Sequence, residues 1–257
     1  MLIDTHCHLT DERLAPEAED IIRSMPADGL AALVTVGYDR ESSLAGLRLA
    51  EAHADVWCTL GVHPHDADKL DEATLAEFEA LAAHPKVLAI GEIGLDYYYD
   101  LSPRAVQKDA FRRQIALADG CGLPVCLHVR DAYGDCMEIL TECSGMLSHG
   151  VLLHCYSGSA EMVREFGRFD AYFAFGGAIT FRNARRNLEA LAAVPRERLL
   201  LETDCPYMTP VPYRDKTNRP AYVSLVADKA AEVAGISREE IENITSENAK
   251  RLFTKMK

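Results

Sequence analysis

The chain has 257 residues, 48% hydrophobic and 26% charged, a balance typical of a globular protein with a sizeable core. No apolar run approaches the ~18 residues that span a bilayer, and acids and histidines stand where a secretory signal needs an apolar stretch. A net charge of −13 argues against a surface that coats nucleic acid wholesale, but leaves room for one local basic mouth.

Taken in chain order, apolar runs at 2–6, 30–36, 56–61, 87–91, 124–128, 151–154, 171–175 and 198–203 read as strands. Each is apolar throughout rather than alternating, as expected of parallel strands buried on both faces. Amphipathic segments at 40–53, 72–83, 104–119, 160–166 and 183–194 lie between them and read as helices. Ser102-Pro103 and Ser159-Ala160-Glu161 carry helix start signals, and Gly120 and Gly122 stand where a left-handed C-cap closes the fourth-unit helix. Two more helices follow at 221–234 and 238–253, the second opened by the capping box Ser237-x-x-Glu240. The eight cysteines are scattered without a CxxC pair, which fits reduced core thiols and a cytoplasmic setting. Eight β-then-α units at an average spacing of about 28 residues predict a single α/β domain over 1–257, a (β/α)8 TIM barrel with extra C-terminal helices. An open doubly wound sheet competes, and would gather ligands at one switch point rather than around a ring.

The strand ends carry the chemistry. The first ends in His6-x-His8, the third in His63-Pro64-His65, the fourth in Gly91-Glu92-Ile93-Gly94-Leu95-Asp96. The fifth ends in His128-Val129-Arg130-Asp131, the sixth in His154-Cys155-Tyr156-Ser157-Gly158, and the eighth in Glu202-Thr203-Asp204-Cys205-Pro206. In a barrel all of these converge on the C-terminal face. His6, His8, His128, His154, Glu92 and Asp204 then form an N4O2 donor set, enough for two divalent ions sharing a carboxylate. Glu92 is the natural bridge, because its strand lies between the histidine sets. Asp204 can bind one ion and orient the attacking water or take its proton. Hydrolysis is the implied chemistry, since no dinucleotide fingerprint, P-loop or serine elbow is present.

The GEIGLDYY stretch (91–98), the HCYSG stretch (154–158) and the ETDCPY stretch (202–207) together resemble the TatD family of metal-dependent deoxyribonucleases, with the likeness running to the tail at 247–253. The resemblance implies that His6, His8, Glu92 and Asp204 hold one metal and that Glu92, His128 and His154 hold the second. It also implies DNA as substrate, exonucleolytic trimming of single-stranded or frayed ends, and a link to DNA repair or degradation. The imidazoles favour Zn or Mn, whereas the family is associated with Mg. One departure is Thr217-Asn218-Arg219-Pro220, where the family commonly has Arg-Asn-Glu-Pro. That change bears on substrate preference rather than on the metal shell.

A phosphate chain needs cations and stacking faces. Substrate contacts are expected from His63, Arg130, Tyr156, Ser157 and Arg182. For the basic clusters with Arg185, Arg186, Arg214, Lys216 and Arg219, phosphate contact and plain surface are equal expectations, Tyr97 to Tyr99 offer rings, and His65 is expected to be peripheral. The donor set does not separate DNA from another ester, such as an aminoacyl-tRNA ester, a lactone or a phosphotriester. A non-turning-over metal- or nucleic-acid-binding barrel should have lost a ligand, and none is missing. No membrane or obligate protein partner is expected, and a monomer suffices.

Overall fold

A computed structural model describes residues 1–256. Its eight strands are β1 (Leu2–Cys7), β2 (Leu30–Thr35), β3 (Val56–Leu60), β4 (Val87–Asp96), β5 (Val125–Arg130), β6 (Val151–Leu153), β7 (Tyr172–Phe175) and β8 (Leu199–Leu201). They form one sheet in sequence order, every neighbouring pair parallel. The helices are α1 (Ala18–Ser24), α2 (Arg40–Ala52), α3 (Glu72–Ala82), α4 (Arg104–Cys121), α5 (Tyr133–Glu142), α6 (Ala160–Phe166), α7 (Arg185–Ala193), α8 (Val223–Ala234) and α9 (Arg238–Leu252). The fold is the expected TIM barrel. No helix among the described residues is long and apolar enough to cross a membrane.

The helix boundaries follow local chemistry. The side chains of Asp39, Asp71, Ser159 and Ser237 each accept a hydrogen bond from a first-turn N–H of α2, α3, α6 and α9. The helix α4 ends at Gly122, whose φ of 67° supplies the left-handed cap, with Gly120 still inside the helix. Its N-cap is Pro103, and the Ser102 hydroxyl instead donates to the His65 carbonyl at 2.8 Å. The helices α1 and α5 have no counterpart in the sequence reading. The first is only seven residues long, and α5 starts without a side-chain cap and with Gly134 in its first turn.

Two bodies of apolar side chains hold the barrel. A large one lies between the strands and the surrounding helices, around Phe78, Phe111, Ile115 and Phe166. A smaller one fills the interior with residues such as Ile3, Val34, Leu88, Cys126, Leu152, Ala174 and Leu200. Leu252, Phe253 and Met256 pack against that interior layer, so the end of α9 stops the N-terminal mouth of the barrel. The chemistry is left at the other end.

β1 and β8 are joined mainly through side chains. The buried Asp4 carboxylate accepts from the Thr203 backbone N–H at 2.9 Å and from its hydroxyl at 2.6 Å. Thr5 donates to the Leu201 carbonyl at 2.9 Å. Just above, the Asp204 N–H donates to the His6 carbonyl at 2.9 Å and the His8 N–H to that of Cys205 at 2.8 Å. Burial pushes the Asp4 carboxyl up to about 8, against the pull of the Thr203 hydrogen bonds. The folded state therefore holds a proton that the unfolded chain releases at ordinary carboxylate pH. This group's contribution to stability falls as pH rises from that range through about 8. We predict that Asp4→Asn, compared with wild type by urea unfolding across that window, shows a shallower loss of stability with rising pH. Parallel curves for the two proteins would contradict the assignment.

Candidate metal centre

Each candidate ligand sits in the C-terminal half of a strand or in the few residues that follow it. His6 is the penultimate residue of β1 and His8 directly follows the strand, two residues apart so that both side chains face the same way. Glu92 lies inside β4, which runs five residues beyond the predicted end. Residues 92, 94 and 96 therefore share one face of that strand. Gly94, at φ 136°, permits the extension, because a Cβ there would lie 2.2 Å from the His128 carbonyl oxygen. His128 is in β5 and His154 directly follows β6. Asp204, after β8, adopts φ 56°, a left-handed conformation tolerated by Asp.

The two oxygens of Glu92 face different histidines. Its Oε2 lies 3.4 Å from His6 Nε2 and 3.6 Å from His8 Nε2. Its Oε1 lies 2.9 Å from His128 Nδ1, 2.9 Å from His154 Nε2 and 3.4 Å from His63 Nε2. Asp204 Oδ1 joins the first group, 3.4 Å from His8 Nε2 and 3.9 Å from His6 Nε2. Two nitrogen-rich clusters thus share one buried carboxylate.

The donors suit cations. Five imidazole nitrogens converge on one carboxylate, which offers about four lone-pair sites. Some of those nitrogens also crowd one another, His6 and His8 at 3.3 Å through Nε2 and His128 and His154 at 3.3 Å. The triplets His6–His8–Glu92 and His63–Glu92–His128 each bring ligand atoms within 4.8 Å of one another. An imidazole and carboxylate set of this kind fits Zn or Mn.

Electrostatics keep the shared carboxylate charged and two of the imidazoles neutral. Burial alone would push the Glu92 carboxyl up, but His154, His63 and His128 hold it well below the usual carboxylate range. Burial, helped by His128, pushes His63 down to about 4, and burial with His154 also lowers His6. Burial opposes protonation of His8, His128 and His154 as well. Their carboxylate neighbours outweigh it, Asp204 at His8, Asp96 and Glu92 at His128, and Glu92 and Glu202 at His154.

Two carboxylates outside the predicted set support the ligands from behind. Asp96 Oδ2 lies 3.0 Å from His128 Nε2 and 3.0 Å from His65 Nε2. Glu202 Oε1 accepts the Cys155 N–H at 2.6 Å and lies 3.4 Å from His154 Nδ1. Such partners fix the tautomer of a ligating imidazole. A period of two from Glu92 to Asp96, and from Asp204 back to Glu202, is the signal that would have found both. His65 is therefore tied to the centre through Asp96, not peripheral.

The predicted substrate residues disperse. His63 joins the donor cluster itself. Arg130 sits over Tyr98, its guanidinium carbon 3.8 Å from the ring centre. Ser157 is exposed, with its hydroxyl 3.1 Å from that of Tyr133, and Arg182 is exposed on the loop after β7. Tyr156 is corrected, because it is buried against Phe173 with its hydroxyl donating to the Ser159 carbonyl at 2.9 Å. Arg185 pairs with Glu189 on the surface of α7, and Arg219 reaches Glu17. Asn218 is buried and donates to the Thr203 carbonyl at 2.8 Å, bracing the loop after β8. A cavity of about 660 Å³ among Ser148, Arg168, Tyr172, Arg198 and Arg251 lies at the opposite, N-terminal end of the barrel.

The chain matches the model of the TatD related DNase family over residues 3–254. It is 45% identical to an uncharacterized metal-dependent hydrolase, YabD, of Bacillus subtilis, over 98% of this chain and 99% of that one. It is 34% identical to the 3'-5' ssDNA/RNA exonuclease TatD of Enterobacter lignolyticus, over 98% of each. The crystal structure of YjjV, a TatD homologue from Escherichia coli K12, superposes with a TM-score of 0.92 at 29% identity, covering 98% of both chains. The chain belongs to the TatD family.

If these donors hold metal, loading must displace protons from His8, His128 and His154. Apparent Zn affinity of the metal-stripped protein should rise with pH between about 6 and 8, with protons released on titration. A flat affinity over that range would exclude these imidazoles as the ligands.

Proposed function

We propose that this chain is a metal-dependent hydrolase of phosphodiester bonds in DNA, trimming single-stranded or frayed ends exonucleolytically at a two-ion centre. The observation that carries the reading is Glu92, one oxygen toward His6 and His8 and the other toward His63, His128 and His154. Membership of the TatD family and the nuclease named in Enterobacter lignolyticus support the substrate class. His6, His8, Glu92 and Asp204 would hold one ion, and Glu92, His128 and His154 the other, with His63 as a further donor.

Two divalent ions at such a site polarise a phosphoryl oxygen and lower the pKa of water. The chain's own groups do the rest. Asp204, free of the second cluster, orients the attacking water and takes its proton through a carboxylate oxygen. Asp96 and Glu202 keep the His128 and His154 rings from turning. In this reading Arg130 and Arg182 supply the cations that meet phosphate oxygens outside the donor set. Every donor comes from one chain, so the reading needs no partner subunit.

Metal-stripped protein should leave end-labelled single-stranded DNA intact and trim it once Mg, Mn or Zn is restored, while His128→Ala stays inert. Intact DNA with every ion, alongside uptake of two ions per chain, would overturn the phosphodiester reading and leave another ester as substrate. Glu92→Gln should keep its circular dichroism spectrum and lose at least ~100-fold in kcat. Full activity in that variant, with metal content checked, would remove Glu92 from the bridging position.

A further inference from the structure

Eight large hydrophobic side chains are exposed among the described residues, and six of them lie on two loops at the mouth. Tyr98, Tyr99 and Leu101 follow β4, and Tyr207, Val211 and Tyr213 follow β8. Apolar side chains gathered beside a site mark contact with something apolar.

The rings are held in a particular way. The Arg130 guanidinium covers Tyr98 at 3.8 Å and Tyr99 at 4.9 Å, and that of Arg13 covers Tyr207 at 4.3 Å. Tyr98 is still 58% exposed and Tyr207 48%, so each keeps open ring surface. The two pairs stand at opposite ends of the donor set. The Tyr99 ring is 5.4 Å from that of His65, which Asp96 links to His128. The Tyr207 ring is 6.0 Å from that of His8, the partner of Asp204. Glu92 lies between them. Tyr97 is excluded from this role, because its ring is half-buried and packs against the core rather than standing open at the mouth.

The charges of the two pairs differ. Arg13 is engaged by Asp11 through two hydrogen bonds, at 2.9 and 3.1 Å, and Asp11 also accepts from the Tyr207 hydroxyl at 3.1 Å. That assembly is electrically balanced and fixes the ring. Arg130 has no carboxylate in ion-pairing reach among the described residues, so its charge is open to a phosphate.

We propose that the Tyr98–Arg130 and Tyr207–Arg13 pairs are two base-stacking clamps. One nucleobase is held on each side of the scissile phosphate, so that the shortest productive substrate presents unpaired bases on both flanks. The inference rests on the nuclease reading and adds to it the residues that select single-stranded substrate. Stacking on an aromatic ring tolerates any base, because every base has a π face. In a duplex those faces are covered by neighbouring pairs, and the clamps have nothing to grip.

The test compares a single-stranded oligonucleotide with an abasic strand of the same length, using the metal-loaded protein and its Tyr98→Ala, Tyr98→Phe, Tyr207→Ala and Tyr207→Phe variants. The readout is the ratio of kcat/KM on the base-bearing strand to that on the abasic strand. Each alanine variant should lower the ratio about tenfold, mainly through KM, and each phenylalanine variant should restore it. A wild type active on the base-bearing strand whose ratio is unmoved in both alanine variants overturns the inference alone. A fall at one tyrosine only overturns the two-sided arrangement. A wild type inert toward both strands removes the nuclease reading and the clamps with it.

Discussion

The hydrogen bonds between Asp4 and Thr203 close the barrel where its first and last strands meet. Along the other seven seams, parallel backbone ladders do this work. At this one, a buried carboxyl reaches across and takes both donors of a single threonine. The consequence is positional. His6 stands two residues beyond Asp4, and Asp204 one beyond Thr203, so the bond that closes the sheet also sets the spacing of the first ligand cluster. Burying a carboxyl costs stability unless its oxygens are satisfied, and here they are. Asn218, donating to the Thr203 carbonyl, braces the same point from the loop after β8.

Around Glu92 the energetic argument runs the other way. A carboxylate that is almost wholly buried among imidazoles, several within 3.5 Å of each other, is not an arrangement a core would adopt for its own stability. The family gathers metal-dependent hydrolases such as YabD of Bacillus subtilis, and a bound cation is the natural neutraliser of such a cluster. The supporting shell is rigid by comparison. Asp96 is hydrogen-bonded by the Tyr98 and Tyr99 N–H groups as well as facing two histidines, and Gln107 accepts from its own N–H. The loop that carries the exposed tyrosines is therefore anchored on the carboxylate that steadies His128.

Much of this was legible in the sequence, for identifiable reasons. Strands buried on both faces leave unbroken apolar runs, so all eight could be placed to within a few residues. Ligands at strand ends are local features, and His6, His8, Glu92, His128, His154 and Asp204 do come together. What was not legible depended on geometry between distant segments. β4 reads as ended at Gly91 because Glu92 and the two glycines interrupt the apolar run, yet Gly94 lets it continue against β5 as far as Asp96. That hid the parts played by Asp96 and His65. Tyr156 looked like a mouth residue by its place in the chain, but the turn after β6 folds it inward onto Phe173. The helices α1 and α5 are short and weakly capped, and owe their form to packing rather than to local signals.

The two ligand clusters also differ in how much chain must be in place before they exist. His63, Glu92, His128 and His154 lie in or just after four successive strands, β3 to β6, whose pairing is among near neighbours. His6 and His8 find Asp204 only once 204 of the 257 residues are present, since they lie 198 and 196 positions before it. During vectorial synthesis on the ribosome the first grouping can assemble while the second is still missing its carboxylate. The full donor set meets only at closure, so the finished centre is a marker of the finished fold.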